Sequence, residues 1–390
     1  MASFSPRALA TGIGSLPHPQ TADALALILS TFPEIPFWPQ LSRRDFRENM
    51  YAQFSEDLVG VQIDLPHEWM GAVIDDETLA GIEAFYARYL ENDPKLFAVS
   101  RDYAEGLYAL HAQRAALPNA RWIKGQVTGP ISFGLKVVDQ KLRPLLYDDS
   151  LRDVLVKHLA RKAQWQENFL SQPGEGPALG GVEEPALSVV EEPALSVVEG
   201  SHSSQGLPTL IFVDEPSLAL IGSSVVALNR DEVVRDLEEV FSALRGLKGT
   251  HCCGNTDWSL LLETSVDVIS FDAYNYAENM ALFADHVKRF MNRGGALAWG
   301  IVPTVEEQIA KETVDTLLLR LDAAIGLLVK KGIDRDLLYE RALITPACGL
   351  GTISPGAAER AFALTRGLSD RVRQREGWAG RDFDPAMTGL

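Results

Sequence analysis

Three stretches, in sequence order, decide the fold class of this 390-residue chain: TLIFVDEP (residues 209–216), NRDEVVRDLEEVFSALRG (229–246) and LKGTHCCG (247–254). The first and third are short apolar runs that predict buried strands, and the second is an amphipathic segment with a helix start signal. A strand–helix–strand unit whose strands are apolar almost throughout is typical of a parallel sheet covered by helices.

The alternation of apolar runs and amphipathic segments extends over most of the chain. We predict eight strands, at residues 10–16, 35–41, 121–129, 209–216, 247–254, 266–273, 295–304 and 341–350. Eight such units in about 350 residues favour a (β/α)8 TIM barrel over a doubly wound sheet. We therefore expect one barrel domain over residues 1–390, in which residues 45–120 add extra helices between strands 2 and 3.

Helix signals in the C-terminal third of the chain support this prediction. The segment 304–332 is predicted as one helix that begins with a capping box of Thr304 and Glu307. The segment 354–368 is predicted as another helix, with Pro355 in its first turn. Both are amphipathic, as helices that cover a sheet must be.

Residues 174–206 interrupt the pattern. They contain six glutamates and no Lys or Arg, and the octapeptide VEEPALSV occurs twice in succession, at 182–189 and 190–197. A period of eight with a proline in each unit suits neither a continuous helix nor a solenoid. We interpret the segment as a mobile acidic surface insertion between strands 3 and 4; the alternative is a docking strip for a partner.

Bulk composition narrows the possible partners. The net charge of −17 argues against binding nucleic acid or an anionic membrane through a basic surface. The N-terminal stretch lacks the basic and apolar regions of a signal peptide, and no run approaches the roughly 20 apolar residues that span a bilayer. Three cysteines cannot all pair, so we expect reduced thiols, a cytoplasmic location and no membrane partner.

All the cysteines lie at or near predicted strand ends. The motif HCC places His251 and Cys253 at the end of strand 5, and Asp272 and Cys348 fall at the ends of strands 6 and 8. The C-terminal rim of a barrel collects such residues, and one imidazole, two thiolates and a carboxylate suit zinc. Strand alternation selects Cys253 over Cys252. The alternative is that these are ordinary buried cysteines.

Polar residues also end other predicted strands. Asp214 and Glu215 end strand 4, Ser15 ends strand 1 and Gln40 ends strand 2. Paired carboxylates at a barrel mouth can bind a substrate ammonium through charge-assisted hydrogen bonds. The alternative is that the DEP sequence only caps the next helix.

Five short motifs follow one another at these strand ends: GIGSLPH (12–18), VTGP (127–130), VDEP (213–216), HCC (251–253) and PACGL (346–350). In this order they resemble the C-terminal catalytic barrel of cobalamin-independent methionine synthase, in a short single-barrel form. That family belongs to a superfamily that also contains uroporphyrinogen decarboxylase and corrinoid-dependent methyltransferases. The resemblance covers residues 10–375 apart from the acidic insertion.

The resemblance implies a zinc site and a thiol substrate. It makes His251, Cys253 and Cys348 zinc ligands, with Asp272 in the place where the family has a fourth ligand, a glutamate. No catalytic residue is implied beyond the zinc-activated thiol.

The resemblance also implies which residues bind homocysteine. The stretch of Ile13, Gly14 and Ser15, together with Asp214, corresponds to positions that hold the amino-acid end of homocysteine. Gln40 falls near a family glutamate that binds the same amine.

Two departures from the family concern the methyl donor. The family has a tryptophan after VTGP that stacks on the folate donor, whereas this chain continues with ISFGLKV (131–137). The family has a histidine after strand 7 that protonates the departing folate, whereas this chain reads WGIVPT (299–304). These departures favour a methyl-corrinoid donor, carried on a protein partner or free, because its cobalt(I) leaving group needs no proton.

We therefore expect a zinc-dependent methyltransferase that methylates a thiol, with homocysteine as the acceptor and methionine as the product. One alternative is a decarboxylase of the uroporphyrinogen type, for which the metal ligands would be unnecessary. The other is a non-catalytic barrel that binds thiols or metal.

Overall fold

The computed structural model describes residues 4–114, 117–172, 206–221, 226 and 228–379. Strands in this part of the chain are β1 (Leu9–Ala10), β2 (Val61–Asp64), β3 (Trp69–Ala72), β4 (Ile123–Thr128), β5 (Thr209–Asp214), β6 (Leu247–Cys252), β7 (Val268–Phe271), β8 (Ala296–Val302) and β9 (Ala342–Pro346). Seven of them form a parallel sheet in the order β1-β9-β8-β7-β6-β5-β4, and β2 and β3 form a separate antiparallel hairpin. The parallel α/β class predicted from the sequence is confirmed.

The helices within the described ranges surround this sheet. They are α1 (Thr21–Thr31), α2 (Asp76–Leu90), α3 (Glu105–Ala112), α4 (Pro130–Lys136), α5 (Asp149–Ser171), α6 (Arg230–Ser242), α7 (Ser259–Leu262), α8 (Ala273–Leu282), α9 (Ala284–Asn292), α10 (Glu306–Lys311), α11 (Val314–Val329), α12 (Arg335–Glu340) and α13 (Pro355–Arg375). No helix in the described part of the chain is both long and apolar enough to cross a membrane.

The segment 35–41, predicted as strand 2, lies in the gap between the two edges of the sheet. It makes one parallel bridge to β4, at Phe37, and one to the chain beyond β1, where Gln40 pairs with Ser15. A regular strand does not form there, because Pro36 and Pro39 have no backbone N–H to donate. With these two bridges the curled seven-stranded sheet is consistent with a TIM-like barrel.

Side chains from the central strands are buried on both faces of the sheet. Leu210 and Phe212 of β5 belong to a small apolar cluster inside the curl, whereas Ile211 and Val213 pack in the larger cluster that includes the helices. This burial explains why the strands are apolar almost throughout. The last inward-facing side chain of β5 is that of Asp214, so polar side chains begin where the strands reach the C-terminal edge of the sheet.

Two helix predictions differ from the structure. The segment 304–332 forms two helices, α10 and α11, and not one. The capping box predicted at Thr304 is absent from α10, whose N-cap Val305 makes no side-chain hydrogen bond. A capping box is found instead at the start of α11, where Thr313 and Thr316 satisfy each other's backbone N–H groups.

Two long connections bear on the predicted insertions. Between the 35–41 segment and β4, the chain forms α2, α3 and the β2–β3 hairpin, which the sequence analysis did not predict. The acidic insertion and both octapeptides lie outside the described residues, apart from Gly206 at the boundary. A Cβ placed on Gly206 would be 2.1 Å from the carbonyl oxygen of Ser171, so the chain on the two sides of the insertion is in contact.

Candidate metal and substrate site

Three of the predicted zinc ligands meet at the C-terminal edge of the sheet. One potential ligand atom from each of His251, Cys253 and Cys348 lies within 4.8 Å of the other two. His251 is in β6, Cys253 directly follows it, and Cys348 follows β9, three places along in the sheet order. The curl of the sheet therefore brings the ends of two non-adjacent strands together.

The imidazole of His251 is oriented by a neighbouring strand. Its Nδ1 is hydrogen-bonded to the hydroxyl of Ser270 at 2.9 Å, and Ser270 pairs with His251 in the parallel register of β6 and β7. The other ring nitrogen, Nε2, is buried and has no partner at hydrogen-bonding geometry among the described residues, although the Cys253 thiol is close enough to interact with the ring. Nε2 is thus the atom left free to bind a metal, because metal-binding histidines commonly use their second nitrogen in this way.

The pKa values of the two thiols in the cluster are shifted in opposite directions. A hydrogen bond with Cys348 and the neighbouring His251 lower the pKa of Cys253 to about 4, although burial opposes the change. The same hydrogen bond, with burial and the charge of Cys253, raises the pKa of Cys348 well above its usual value. One imidazole nitrogen and two sulfurs are the donor types that zinc takes, and a dication would favour loss of both thiol protons.

Cys252 lies outside the cluster. It is fully buried in the layer between sheet and helices, and burial raises the pKa of its thiol to about 12. The Cys252 side chain therefore points away from the cluster, as the alternation of side chains along β6 predicts.

The structure does not bring Asp272 into the cluster. Its two carboxylate oxygens accept hydrogen bonds from the backbone N–H and the side-chain amide of Asn275, at 2.9 and 2.6 Å, so the residue caps α8. The charge of Cys253 still contributes to its raised pKa, although burial is the larger cause. Its assignment as a fourth zinc ligand stays a prediction.

The adjacent carboxylates at the end of β5, Asp214 and Glu215, have different surroundings. Glu215 is fully buried and accepts hydrogen bonds from Ile131 N, Ser132 N and Ser132 Oγ, at 2.9, 2.7 and 2.6 Å. It therefore caps α4, which precedes β5 in the chain, and not the helix that follows. A Cβ on Gly129 would lie 2.2 Å from the Glu215 carboxyl carbon, so the glycine of VTGP permits this close approach.

Asp214, in contrast, has an oxygen available. Its Oδ1 is buried without a hydrogen-bond partner among the described residues. Burial raises the pKa of this carboxyl to about 6, while the nearby His251 and Lys124 oppose the rise. Of the two carboxylates predicted to bind an ammonium, Asp214 is the one whose geometry permits it.

The predicted substrate stretch 13–15 borders the cysteine loop. The carbonyl of Ser15 accepts a hydrogen bond from Leu350 N at 2.9 Å, and a Cβ on Gly349 would be 2.1 Å from Ser15 Oγ. Gly14 accepts a hydrogen bond from Gln40 N at 3.0 Å. Ser15 thus lies next to the loop that carries Cys348.

Gln40 and Ile13 are occupied by other protein groups. The Gln40 side chain donates to Gln53 Oε1 at 2.6 Å, and the Ile13 carbonyl accepts from Lys124 Nζ at 2.5 Å. Gln53 comes from the region between residues 41 and 123, which therefore contributes to this edge of the sheet. The roles of Ile13 and Gln40 in binding a substrate stay predictions.

Three residues near the cluster were not among the site residues predicted from the sequence. Lys124 and Ser270 point inward from β4 and β7, and the presence of a polar residue at an inward position of an apolar strand could have revealed both. Tyr51 comes from the region before β4: its hydroxyl is close to Ser217, and the charges of Glu215 and the cluster raise its pKa, although burial is the main cause. No sequence signal indicates Tyr51.

Comparisons with known proteins bear on the fold. No protein-family model matches the sequence, and neither does any curated protein. The structure is similar to a B12-independent methionine synthase from Shewanella sp. W3-18-1 in complex with selenomethionine, with a TM-score of 0.53 and 15% identity over 95% of this chain and 99% of that one. At this identity the similarity shows the fold alone.

A second solved structure is more distant. It is a putative vitamin-B12-independent methionine synthase from Listeria monocytogenes, with a TM-score of 0.45 and 11% identity, covering 90% of this chain and 85% of that one. We draw no inference from this match.

Proposed function

We propose that this chain is a zinc-dependent methyltransferase that methylates the thiol of homocysteine to give methionine, with a methyl-corrinoid as the donor. The observation that carries the proposal is the cluster of His251, Cys253 and Cys348, which places one nitrogen and two sulfur atoms within 4.8 Å of one another. The unpartnered Nε2 of His251 supports a metal as the missing partner, because a buried polar atom left unpaired is costly.

His251, Cys253 and Cys348 would hold the zinc ion, and a zinc ion held by three protein ligands can bind a substrate thiol, as catalytic zinc sites do. Zinc in such a site keeps a coordinated thiol as the thiolate, the nucleophilic form, near neutral pH. Ser270 fixes the tautomer and orientation of His251 by its hydrogen bond to Nδ1.

An amino-acid thiol fits the groups around the cluster. Asp214 presents a buried, unpartnered oxygen that can accept a hydrogen bond from a substrate ammonium. The Shewanella protein was solved with selenomethionine, an amino acid that ends in a methylated selenium, and this supports a methylated amino-acid product here as well.

The transfer itself requires positioning more than proton transfer. The thiolate sulfur supplies the electron pair of the new S–C bond, while the pair of the broken cobalt–carbon bond leaves with cobalt as Co(I). No proton moves in this step. The contribution of the protein is to hold sulfur and methyl group in line, which by itself can supply a large part of a rate enhancement.

The residues on the donor side favour a corrinoid over a folate. Phe133, the aromatic residue in the segment 131–137, is fully buried and cannot stack on a donor. The end of β8 continues through buried Val302 and Pro303 and carries no histidine. A leaving group that must be protonated would therefore lack a general acid at this position, whereas Co(I) needs none.

A donor panel tests the proposal. Zinc-loaded protein is incubated with homocysteine and with methylcobalamin, a methylated corrinoid protein or methyl-folate, and methionine is measured. We expect methionine from at least one corrinoid donor and very slow transfer from methyl-folate. Rapid turnover with methyl-folate alone would contradict the donor assignment, and zinc binding without turnover on any donor would favour the non-catalytic alternative.

A further inference from the structure

Lys124 is a buried lysine inside the curl of the sheet. Its side chain is 1% exposed, and its Nζ lies 4.8 Å from the ring centre of Phe212 and 5.5 Å from that of Phe37. Burial lowers its pKa to about 8, while the charge of Asp214 opposes the fall.

Among the described residues, the hydrogen-bond partners of the Lys124 Nζ are a backbone carbonyl and an amide oxygen, not a carboxylate. A buried charge without a direct partner destabilises the folded state, and in proteins such groups commonly serve a function. The charge of Asp214, at the C-terminal edge of the sheet, opposes the fall in the pKa of Lys124.

The polar contacts of Lys124 lead to the proposed substrate stretch. Its Nζ donates to the Ile13 carbonyl at 2.5 Å and lies 3.4 Å from Gln126 Oε1. Gln126 in turn donates to the Trp38 carbonyl at 3.2 Å, and a Cβ on Gly14 would be 2.9 Å from the Gln126 amide carbon. Lys124 and Gln126, both from β4, therefore position the backbone at residues 13–14 and at residue 38, where regular strand pairing is missing.

We propose that Lys124 is a positioning residue for the amino group of the thiol substrate, acting through the Ile13–Gly14 peptide and through the charge of Asp214. The hydrogen bond to Ile13 holds the substrate stretch against the interior of the sheet. The positive charge offsets the cost of burying the Asp214 carboxylate next to two cysteine sulfurs. This inference rests on the proposed function, since it assumes that the substrate carries an ammonium.

Two thiols that differ in one group test the inference without any methyl donor. Homocysteine and 4-sulfanylbutanoate share the thiol, the carboxylate and the chain length, but only homocysteine has the amino group. Their affinities for zinc-loaded protein are measured by calorimetry, together with zinc content. We expect the unaltered chain to bind homocysteine more tightly, because its ammonium can pair with Asp214.

Lys124→Met removes the charge and keeps the length of the side chain. We expect this variant to bind homocysteine roughly tenfold more weakly or worse, because the hydrogen bond between the substrate ammonium and Asp214 is weakened. The affinity for 4-sulfanylbutanoate, which has no ammonium, should change little. Lys162→Met is the matched control: Lys162 is also buried, its pKa is also lowered to about 8, mainly by burial, and it donates to Ala98 O at 2.9 Å, away from the site. That variant should retain the preference for homocysteine.

The ratio of the two affinities separates a positioning role from a structural one. If Lys124→Met weakens the binding of both thiols equally, or changes the binding of neither, the proposed role of Lys124 is wrong, while the proposed function is unaffected. If Lys124→Met does not fold, Lys124→Gln is used, which retains a hydrogen-bond donor and removes the charge, with the same expected loss of preference. Failure of the unaltered, zinc-loaded chain to bind either thiol would instead contradict the proposed function.

Discussion

The two sides of the candidate site are built in different ways. On the β6–β9 side, regular parallel strands carry His251 and lead directly into Cys253 and Cys348. On the β1–β4 side, single bridges and two prolines replace a regular strand, and the side chains of Lys124 and Gln126 hold the backbone in place. Ligand positions on the first side therefore follow from strand alternation, whereas those on the second depend on individual tertiary contacts.

The largest expected effect is on the β6–β9 side, where each proposed ligand would bind the metal directly. Purified protein should contain about one zinc per chain, and Cys253→Ser, Cys348→Ser and His251→Ala should each lose it. Cys252→Ser is the control, because Cys252 packs in the outer layer and should leave zinc unchanged. Metal analysis after dialysis checks this, and equal loss from all four variants would contradict the ligand assignment.

A smaller effect is expected from Asp214→Asn, which tests whether the two sides are separable. We expect homocysteine affinity to fall roughly 10- to 100-fold, the scale of a lost hydrogen bond to a charged group, while zinc content stays the same. Binding calorimetry and metal analysis on one preparation give both quantities. Loss of zinc from this variant would show that Asp214 belongs to the metal site.

Ser270→Ala should weaken zinc binding without abolishing it. The hydroxyl orients His251, and removal of such a support commonly costs 10- to 100-fold in metal affinity. Competition with a chelator measures the change. Thr250→Ser is a control on the other face of β6, where the hydroxyl bonds to Val213 O at 2.8 Å. If Ser270→Ala binds zinc as tightly as the unaltered chain, the regular strands alone are sufficient to orient the ligand.

The smallest effect is expected from the acidic insertion. Deleting residues 176–204 and joining the ends with a short Gly/Ser bridge should leave zinc content and thiol binding intact. Gly206 already contacts Ser171, and the length of a loop changes stability by only about 0.6 kcal/mol per doubling. Thermal unfolding and metal analysis check this. A chain that no longer folds would show that the insertion is part of the core.

The contrast between the two sides also explains which predictions succeeded. Six of the eight predicted strands correspond to β4–β9, because apolar runs and alternation are local properties of the chain. The strand predicted at 10–16 overlaps the two-residue β1 only at Ala10. The strand at 35–41 was wrong as a regular strand, although Pro36 and Pro39 were visible in the sequence. The capping box predicted at Thr304 was wrong: α10 begins after Val305 without a side-chain cap, and the capping box lies at Thr313, at the start of the separate helix α11.

The apolar runs and the alternation along each strand were therefore sufficient to propose the parallel sheet, the edge of the sheet that carries the candidate site, and Cys253 in preference to Cys252. The tertiary structure alone decided which of the polar side chains at that edge are available to bind a ligand. It assigned Glu215 and Asp272 to helix caps, left an oxygen of Asp214 without a partner, and placed Lys124 under the substrate stretch. The physical reason is that a side chain's direction follows from local backbone geometry, whereas its hydrogen-bond partners come from segments far away in the chain.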